Sequence, residues 1–311
     1  MPSPVHCHSF SGAELQAWAN WAKTMIPAAE MSIGLGELRY LLREVTHLDG
    51  LSLVRYLRQS DANGVGNDDS QINSFYSLEE LTHLWRQRWQ HRVPLHYLLG
   101  WVFWRDFKLT VTPDVLIPRP ETEYLIDLAA RFNPDPDQGG IWVDLGTGSG
   151  AIAIGLGAVF PKATIYGVDV SPAALRVAAA NIQQNNPQAP IKLLQGSWWQ
   201  PLVGLEGQIT GLVSNPPYIP QAEIANLQPE VQNHEPHLAL SGGADGLGAV
   251  QEIVAGAKTF IRPGGILVLE IMAGQGAAVK KLLESSQAFC ETHIFTDLAG
   301  HDRYAYGLRR E

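Results

Sequence analysis

The sequence predicts an α/β protein in two parts, a parallel-sheet domain preceded by a small helical domain. Three observations carry this. Apolar runs of strand length alternate with helical stretches from Tyr124 onward, and a glycine-rich turn at 144–150 joins one such run to a helix. Before Arg92, in contrast, apolar residues recur at three- and four-residue steps. A length of 311 residues fits two domains, at roughly 100–200 residues each.

In chain order, the helical domain covers residues 1–92. Leu35, Leu38, Leu41, Leu42 and Val45 share one helix face, and Ser77 with Glu80 forms a capping box ahead of the Leu78, Leu81, Trp85, Trp89 stripe. The polar stretch 61–70 reads as a surface loop. Residues 93–123 are richer in β-branched and aromatic residues with prolines, notably 93–101 and 107–111, and read as a β-containing linker. In 124–311, strands are expected at 141–145, 164–168, 191–194, 211–213 and 266–270. Such continuous apolar runs suit a parallel sheet covered on both faces. The segment 303–308 alternates and is expected at a sheet edge.

Composition narrows the classes of function. Hydrophobic residues make up 45% and charged residues 17%, as in folded soluble domains. No run approaches the roughly 20 apolar residues of a membrane span, and the opening MPSPVHCHSF lacks signal-peptide order. A cytoplasmic protein with no membrane partner is expected. Only Cys7 and Cys290 are present, so a disulfide framework is not expected. His6-Cys7-His8 has no second ligand pair at finger spacing, and no metal is expected. The net charge of −9 opposes a phosphate backbone and favours a protein or small-molecule substrate.

The run Asp144-Leu-Gly-Thr-Gly-Ser-Gly150 follows a strand and opens a helix. Glycines there let backbone N–H groups approach a nucleotide or a carboxylate. Gly146, Gly148 and Ala151 also satisfy G-x-G-x-x-A, which leaves a nicotinamide or flavin enzyme open at this point. Asp169 closes the next strand, where a carboxylate accepts ribose hydroxyls or caps the helix begun by Ser171-Pro172.

The discriminating feature is Val213-Ser-Asn215-Pro216-Pro217-Tyr218-Ile219, directly after a strand. Ligands of open α/β sheets bind beyond the carboxyl ends of the strands, so this tetrapeptide belongs beside the glycine turn. Two prolines fix their own φ and keep the preceding residues extended. The result is a stiff ledge of acceptors, the Asn215 side-chain oxygen and the Pro216 carbonyl, suited to the two protons of a planar –NH2, with Tyr218 as an aromatic wall. A polyproline turn with a buried tyrosine is the purely structural alternative.

With Leu116-Ile-Pro-Arg-Pro-Glu-Thr-Glu123, Glu235-Pro-His-Leu-Ala-Leu-Ser-Gly242 and the tail Asp297-Leu-Ala-Gly-His-Asp-Arg303, these motifs resemble the PrmC/HemK family of release-factor glutamine N5-methyltransferases. The resemblance covers about residues 93–309; the helical domain fits only in length and character. It implies a seven-stranded, Rossmann-like class I S-adenosylmethionine-dependent methyltransferase domain. It further implies that the helical domain docks class 1 peptide chain release factors, whose Gly-Gly-Gln glutamine is methylated. By motif, Gly146, Thr147, Gly148, Ser149, Gly150, Asp169, Trp198 and Asn215 would contact S-adenosylmethionine. Asn215, Pro216, Pro217 and Tyr218 would hold the glutamine, with Asn215, Pro216 and Tyr218 as the catalytic set. One departure stands out: Ser197 occupies a position that is acidic in many relatives, and it brings no carboxylate to the adenine amine there. Glu270, at a strand end, is either an orienting group for the amide or a plain sheet-end carboxylate.

Two other functions use the same features. An adenine-N6 or cytosine-N4 nucleic-acid methyltransferase would use the same ledge, but no basic, aromatic-rich recognition segment is present, and no direct nucleic-acid partner is expected. A non-catalytic scaffold would keep the fold without the intact glycine, Asp169 and Asn215 set.

Overall fold

Residues 8–46, 48–57, 70–133 and 139–311 are described by the computed structural model. His6 and Cys7 of the His-Cys-His run, and all of the 61–70 loop except Ser70, lie outside the described residues. The chain divides into two units, one ending at Leu98 and one beginning at Leu99.

In the first unit, β1 (His8–Ser11) leads directly into α1 (Gly12–Thr24). Ser11 makes this abrupt change possible: its hydroxyl accepts from Glu14 N while the Glu14 carboxylate accepts from Ser11 N, a reciprocal capping box. α2 (Met31–Thr46) and α3 (Gly50–Leu57) follow. The expected face of α2 is buried through Leu38, Leu41, Leu42 and Val45, with Leu35 half-buried. β2 (Gln71–Ser74) pairs antiparallel with β1, which the helical pattern did not anticipate; each strand has four residues, too few for alternation to register. α4 (Leu78–Gln90) starts at the predicted Ser77–Glu80 box and buries Leu81, Trp85 and Trp89. The Trp85 indole donates to the Ala22 carbonyl at 2.8 Å, so a large ring is buried without stranding its N–H. Arg88 is buried because Glu37 meets its Nε at 2.7 Å and the Trp89 ring lies 4.3 Å from its guanidinium.

The 93–101 stretch corrects the β-rich reading: α5 (Leu95–Leu99) is helical. Tyr97 N and Leu98 N both donate to the Pro94 carbonyl, and the Leu-His-Tyr-Leu-Leu run contains no β-branched residue to oppose a helix.

The second unit opens on the hairpin β3 (Trp101–Trp104) and β4 (Phe107–Thr110). Then come α6 (Tyr124–Phe132), β5 (Ile141–Leu145), α7 (Ala151–Val159), β6 (Thr164–Asp169), α8 (Pro172–Asn185), β7 (Ile191–Gln195) and β8 (Ile209–Ser214). α9 (Pro229–His234), α10 (Gly248–Phe260), β9 (Ile261–Glu270), α11 (Gly276–Ser285), β10 (Phe289–Thr296) and β11 (Asp302–Arg309) complete it. The seven-stranded sheet has the order β10-β11-β9-β8-β5-β6-β7, parallel from β9 to β7, with β11 antiparallel to both of its neighbours. The expected strands are all present, but β11 is interior rather than at the edge. Its residues Tyr304 to Gly307 are buried together, and the exposed outer strand is β10, which the sequence reading did not mark. α10 packs Val250, Ile253, Val254 and Ala257 into one core with Val143, Leu212 and Leu267 of the sheet. No helix among the described residues is long and apolar enough to cross a membrane.

Candidate active site

The parallel strands β5, β6 and β8 end side by side, and their carboxyl ends carry the chemistry-bearing residues. After β5 the chain enters a turn in which Gly146, Gly148 and Gly150 have φ of +75°, +52° and +83°, values that a side chain would strain. Gly146 N and Thr147 N both donate to the Val168 carbonyl, at 2.8 and 2.9 Å, which folds the turn over the end of β6. Asp169 then receives Gly148 N on Oδ2 and Ser171 N on Oδ1, each at 2.9 Å. Asp169 braces the loop before α8 and lines the cleft, but the cap of that helix is Ser171, whose hydroxyl accepts from Ala174 N at 3.2 Å, which corrects the capping reading of Asp169. Burial pushes its carboxyl up, against the lowering effect of these backbone N–H groups.

Asp144 lies beneath the turn, fully buried. Its Oδ2 accepts from Thr147 Oγ1 at 2.6 Å and from Ala153 N at 3.1 Å, while Oδ1 has no hydrogen-bond partner. Burial raises this carboxyl to about 7. Asn181, a polar residue on the buried face of α8, was missed in the sequence. Its amide exchanges hydrogen bonds with the backbone of Thr110 in the hairpin and donates to the Ser149 carbonyl, which ties the glycine turn to β4.

At the end of β8, Ser214 donates to the Leu145 carbonyl at 2.6 Å, holding the two strand ends together. Asn215 Nδ2 donates to Thr122 Oγ1 at 3.0 Å; Thr122 Oγ1 donates to Glu270 Oε2 at 2.7 Å; and the Tyr218 hydroxyl donates to Glu270 Oε1 at 3.2 Å. Burial raises the Glu270 carboxyl, with the Thr122 and Tyr218 hydroxyls and the Arg303 charge opposing. Burial and the neighbouring Glu270 charge hold the Tyr218 phenol well above its ordinary range. The far side of the tetrapeptide is fixed by backbone: Ile219 N donates to Leu240 O, Gly242 N to Ile219 O, and Gln275 Nε2 to Tyr218 O.

Gly146 to Ser149, Asp169, Trp198, Asn215 and Pro217 line one cleft of about 510 Å³, within the range of small-molecule sites. Trp198 adopts φ +45°, and its ring stands 3.8 Å from where a Cβ on Gly146 would lie. Gly150, Pro216 and Tyr218 are not among the lining residues. Gly150 caps α7 against Ala178, Pro216 is buried, and Tyr218 turns its hydroxyl to Glu270. Glu270, only 1% exposed, does not line the cleft either. Thr122 lines it, and so do Pro118 and Pro236, which flank a pair that the sequence did not single out. Arg119 Nη2 meets both carboxylate oxygens of the buried Glu235, at 2.7 and 2.8 Å. Among the described residues, no group of three or more His, Cys, Asp or Glu is placed to hold a metal ion.

Comparison with known proteins adds three findings. The family model of the methyltransferase small domain matches residues 127–232. The chain is 49% identical to the release factor glutamine methyltransferase of Thermosynechococcus vestitus, over 94% of this chain and 98% of that one. It is 45% identical to the protein of that name from Synechocystis sp., over 94% and 96%. Among solved structures, the catalytic domain of hMettl16, determined with an RNA hairpin, shares the fold at TM-score 0.53 and 16% identity, covering 75% of this chain and 81% of that one.

Proposed function

The chain belongs to the release factor glutamine methyltransferase family, and on that premise we propose that it transfers a methyl group from S-adenosylmethionine to the side-chain amide nitrogen of the Gly-Gly-Gln glutamine in class 1 peptide chain release factors. The observation that carries this is the orientation of Asn215. Its Nδ2 is engaged by Thr122, which leaves Oδ1 as the free end of an amide lining the cleft. An acceptor there suits a substrate N–H donor such as –NH2 and opposes a thiolate or carboxylate, which has no proton to give.

The cleft residues fit the cofactor. Gly146 and Gly148 carry no side chain to crowd a ligand in the cleft, and Asp169 keeps lone pairs beyond its two backbone donors. Gly146, Thr147, Gly148, Ser149, Asp169 and Trp198 would hold it, with Gly150 setting the start of the helix. S-adenosylmethionine brings a methyl group activated by a positively charged sulfur.

The protein's own task is positional. An amide nitrogen is a weak nucleophile because its lone pair is delocalised into the carbonyl. Asn215 Oδ1 accepts one of its protons, biasing electron density toward nitrogen, and Pro216, Pro217 and Tyr218 fix the ledge. Holding two reactants in line contributes up to about 7–11 kcal/mol in well-oriented systems. The proton leaves to water after transfer, so no general base is required. We assign release-factor docking to the helical domain and cytoplasmic action to the enzyme.

Mass spectrometry of a release factor treated with enzyme and cofactor tests the chemistry. A gain of one methylene on the Gly-Gly-Gln peptide is expected, and methylation of DNA or RNA with none on the release factor overturns the reading. In the same assay, a chain beginning at Val93 should bind cofactor but methylate intact release factor poorly; equal activity removes the docking role.

A further inference from the structure

The two ends of the Asn215 side chain are nearly equal in size, so packing alone does not decide whether oxygen or –NH2 faces the cleft. Hydrogen bonding decides it, and the deciding partner lies on another element. Thr122 sits in the 3₁₀ turn ahead of α6 and is 4% exposed, so water does not substitute for its partners. A threonine hydroxyl has one proton and two acceptor lone pairs. Glu270 takes that proton at 2.7 Å on one carboxylate oxygen while its other oxygen takes the Tyr218 proton at 3.2 Å. An ionised carboxylate accepts a hydroxyl at each oxygen and has no proton to return, and at Glu270 these two hydroxyls and the Arg303 charge oppose the upward push of burial. Only acceptor capacity then remains at Thr122 Oγ1. It draws Asn215 Nδ2 to 3.0 Å and turns Oδ1 the other way.

We propose that Thr122, backed by Glu270, is a positioning residue that selects the rotamer of Asn215 presenting an oxygen to the target nitrogen, and so makes the site selective for an amide over a carboxylate. The inference rests on the reading of Asn215 given above. With Asn215 reversed, its –NH2 would face the substrate –NH2, donor against donor, while a carboxylate side chain in the same place would gain a partner. Selectivity between glutamine and glutamate is then set through Asn215, by the partner that fixes its orientation.

The test uses the full chain with two short peptides, Gly-Gly-Gln as substrate and Gly-Gly-Glu as inhibitor. Thr122→Val keeps the branched shape and removes the hydroxyl; Thr122→Ser keeps the hydroxyl. For Val, kcat should fall about 10- to 100-fold, the effect of losing one hydrogen bond to a positioned polar group. The cofactor KM should be unchanged, and Gly-Gly-Glu should inhibit more strongly than in the wild type. Ser should recover kcat to within a few-fold and restore the weak inhibition. A general loosening of the fold would weaken both peptides together, so stronger inhibition by the glutamate peptide is specific to reversal of the amide. If Val does not fold, Thr122→Ala is read in the same way. Wild-type kcat in the hydroxyl-free variant, or a Ser variant as impaired as Val, overturns the proposal, as does inhibition by Gly-Gly-Glu that does not strengthen. Should the wild type leave Gly-Gly-Gln unmethylated and act on another nitrogen, the substrate reading fails; the Val-to-Ser ratio of kcat on that acceptor still decides the role of Thr122.

Discussion

Asp169→Ala separates the bracing role seen in the structure from the ribose contact proposed for the same carboxylate. In the structure Asp169 accepts from Gly148 N and Ser171 N, one to each oxygen. Alanine therefore removes two bonds that shape the cleft before any cofactor arrives. The group is partly open to solvent, so water replaces much of this loss. A fall of a few degrees in melting temperature is expected, about 2–4 °C per kcal/mol for a domain of this size. The cofactor should lose more. Hydrogen bonds from ribose hydroxyls to a carboxylate contribute about 1.5–3 kcal/mol, so affinity should drop roughly 10- to 100-fold. Titration calorimetry with S-adenosylmethionine, beside a melting curve of each unliganded protein, reads the two effects separately. Asp169→Asn is the control, because its –NH2 must face one of the two backbone N–H groups; it should melt below the wild type while keeping one acceptor for ribose. Unchanged cofactor affinity in a folded Asp169→Ala protein would refute the ribose role and leave Asp169 as a brace for the turn.

Three further outcomes concern Asn215 and Asp144. Asn215→Ala should lower kcat about 10²–10³-fold, as for loss of one preorganised polar contact at a reacting group, with cofactor affinity unchanged by calorimetry; near-normal turnover would reduce the ledge to a strand-end turn. Asn215→Asp should be less impaired than Ala and should recover as pH falls, since its carboxylate meets a Thr122 hydroxyl whose proton already serves Glu270; a flat pH–rate profile contradicts this. Asp144 gives a stability test. Its carboxyl is raised from 3.8 to about 7, so the folded state holds the proton more tightly, and the stability this gives is present below 3.8 and lost as pH rises to about 7. The difference amounts to on the order of 4 kcal/mol for this fully buried group. Asp144→Asn should therefore melt above the wild type at pH 8, by a margin that shrinks toward pH 5; a margin independent of pH would show that Asp144 does not titrate in that window.

The parts of the fold legible in the sequence are those written in a short stretch of chain. β5, β8 and the Gly265–Leu269 part of β9 are buried on both faces and so appear as largely apolar runs, and the glycine turn and the Asn-Pro-Pro-Tyr segment each carry their geometry in consecutive residues. What the local pattern lacks is partnership across the chain. Strand order is one such property, which is why β11 was expected at an edge. β10 went unseen because its residues are mostly half-exposed or exposed and mix polar with apolar types. The site shows the same limit. Thr122 lies 93 residues before Asn215 and 148 before Glu270, and only the fold brings the three together. Asn181 had a signal of another kind, a single amide on the same helix face as Ala174, Val177 and Ala178, where an unpaired polar group would be costly.

The position of β11 between β9 and β10 gives the protein a particular birth order. A ribosome delivers β9 first and β10 next, with no hydrogen bonds between them. The strand that joins them comes after both. About 30 residues separate the end of β9 from the start of β11, roughly 2–6 s of synthesis at ~5–20 residues per second. Until β11 arrives, the strand that ends in Glu270 has a row of N–H and C=O groups along one edge with no strand to pair with. Tyr304 is the residue that pairs with Glu270 in the finished sheet, and its hydroxyl donates to the Glu121 carbonyl beside Thr122. A stop codon or frameshift before β11 would thus take away the strand that joins β9 to β10 and the Tyr304 contact to the Glu121 carbonyl in a single event.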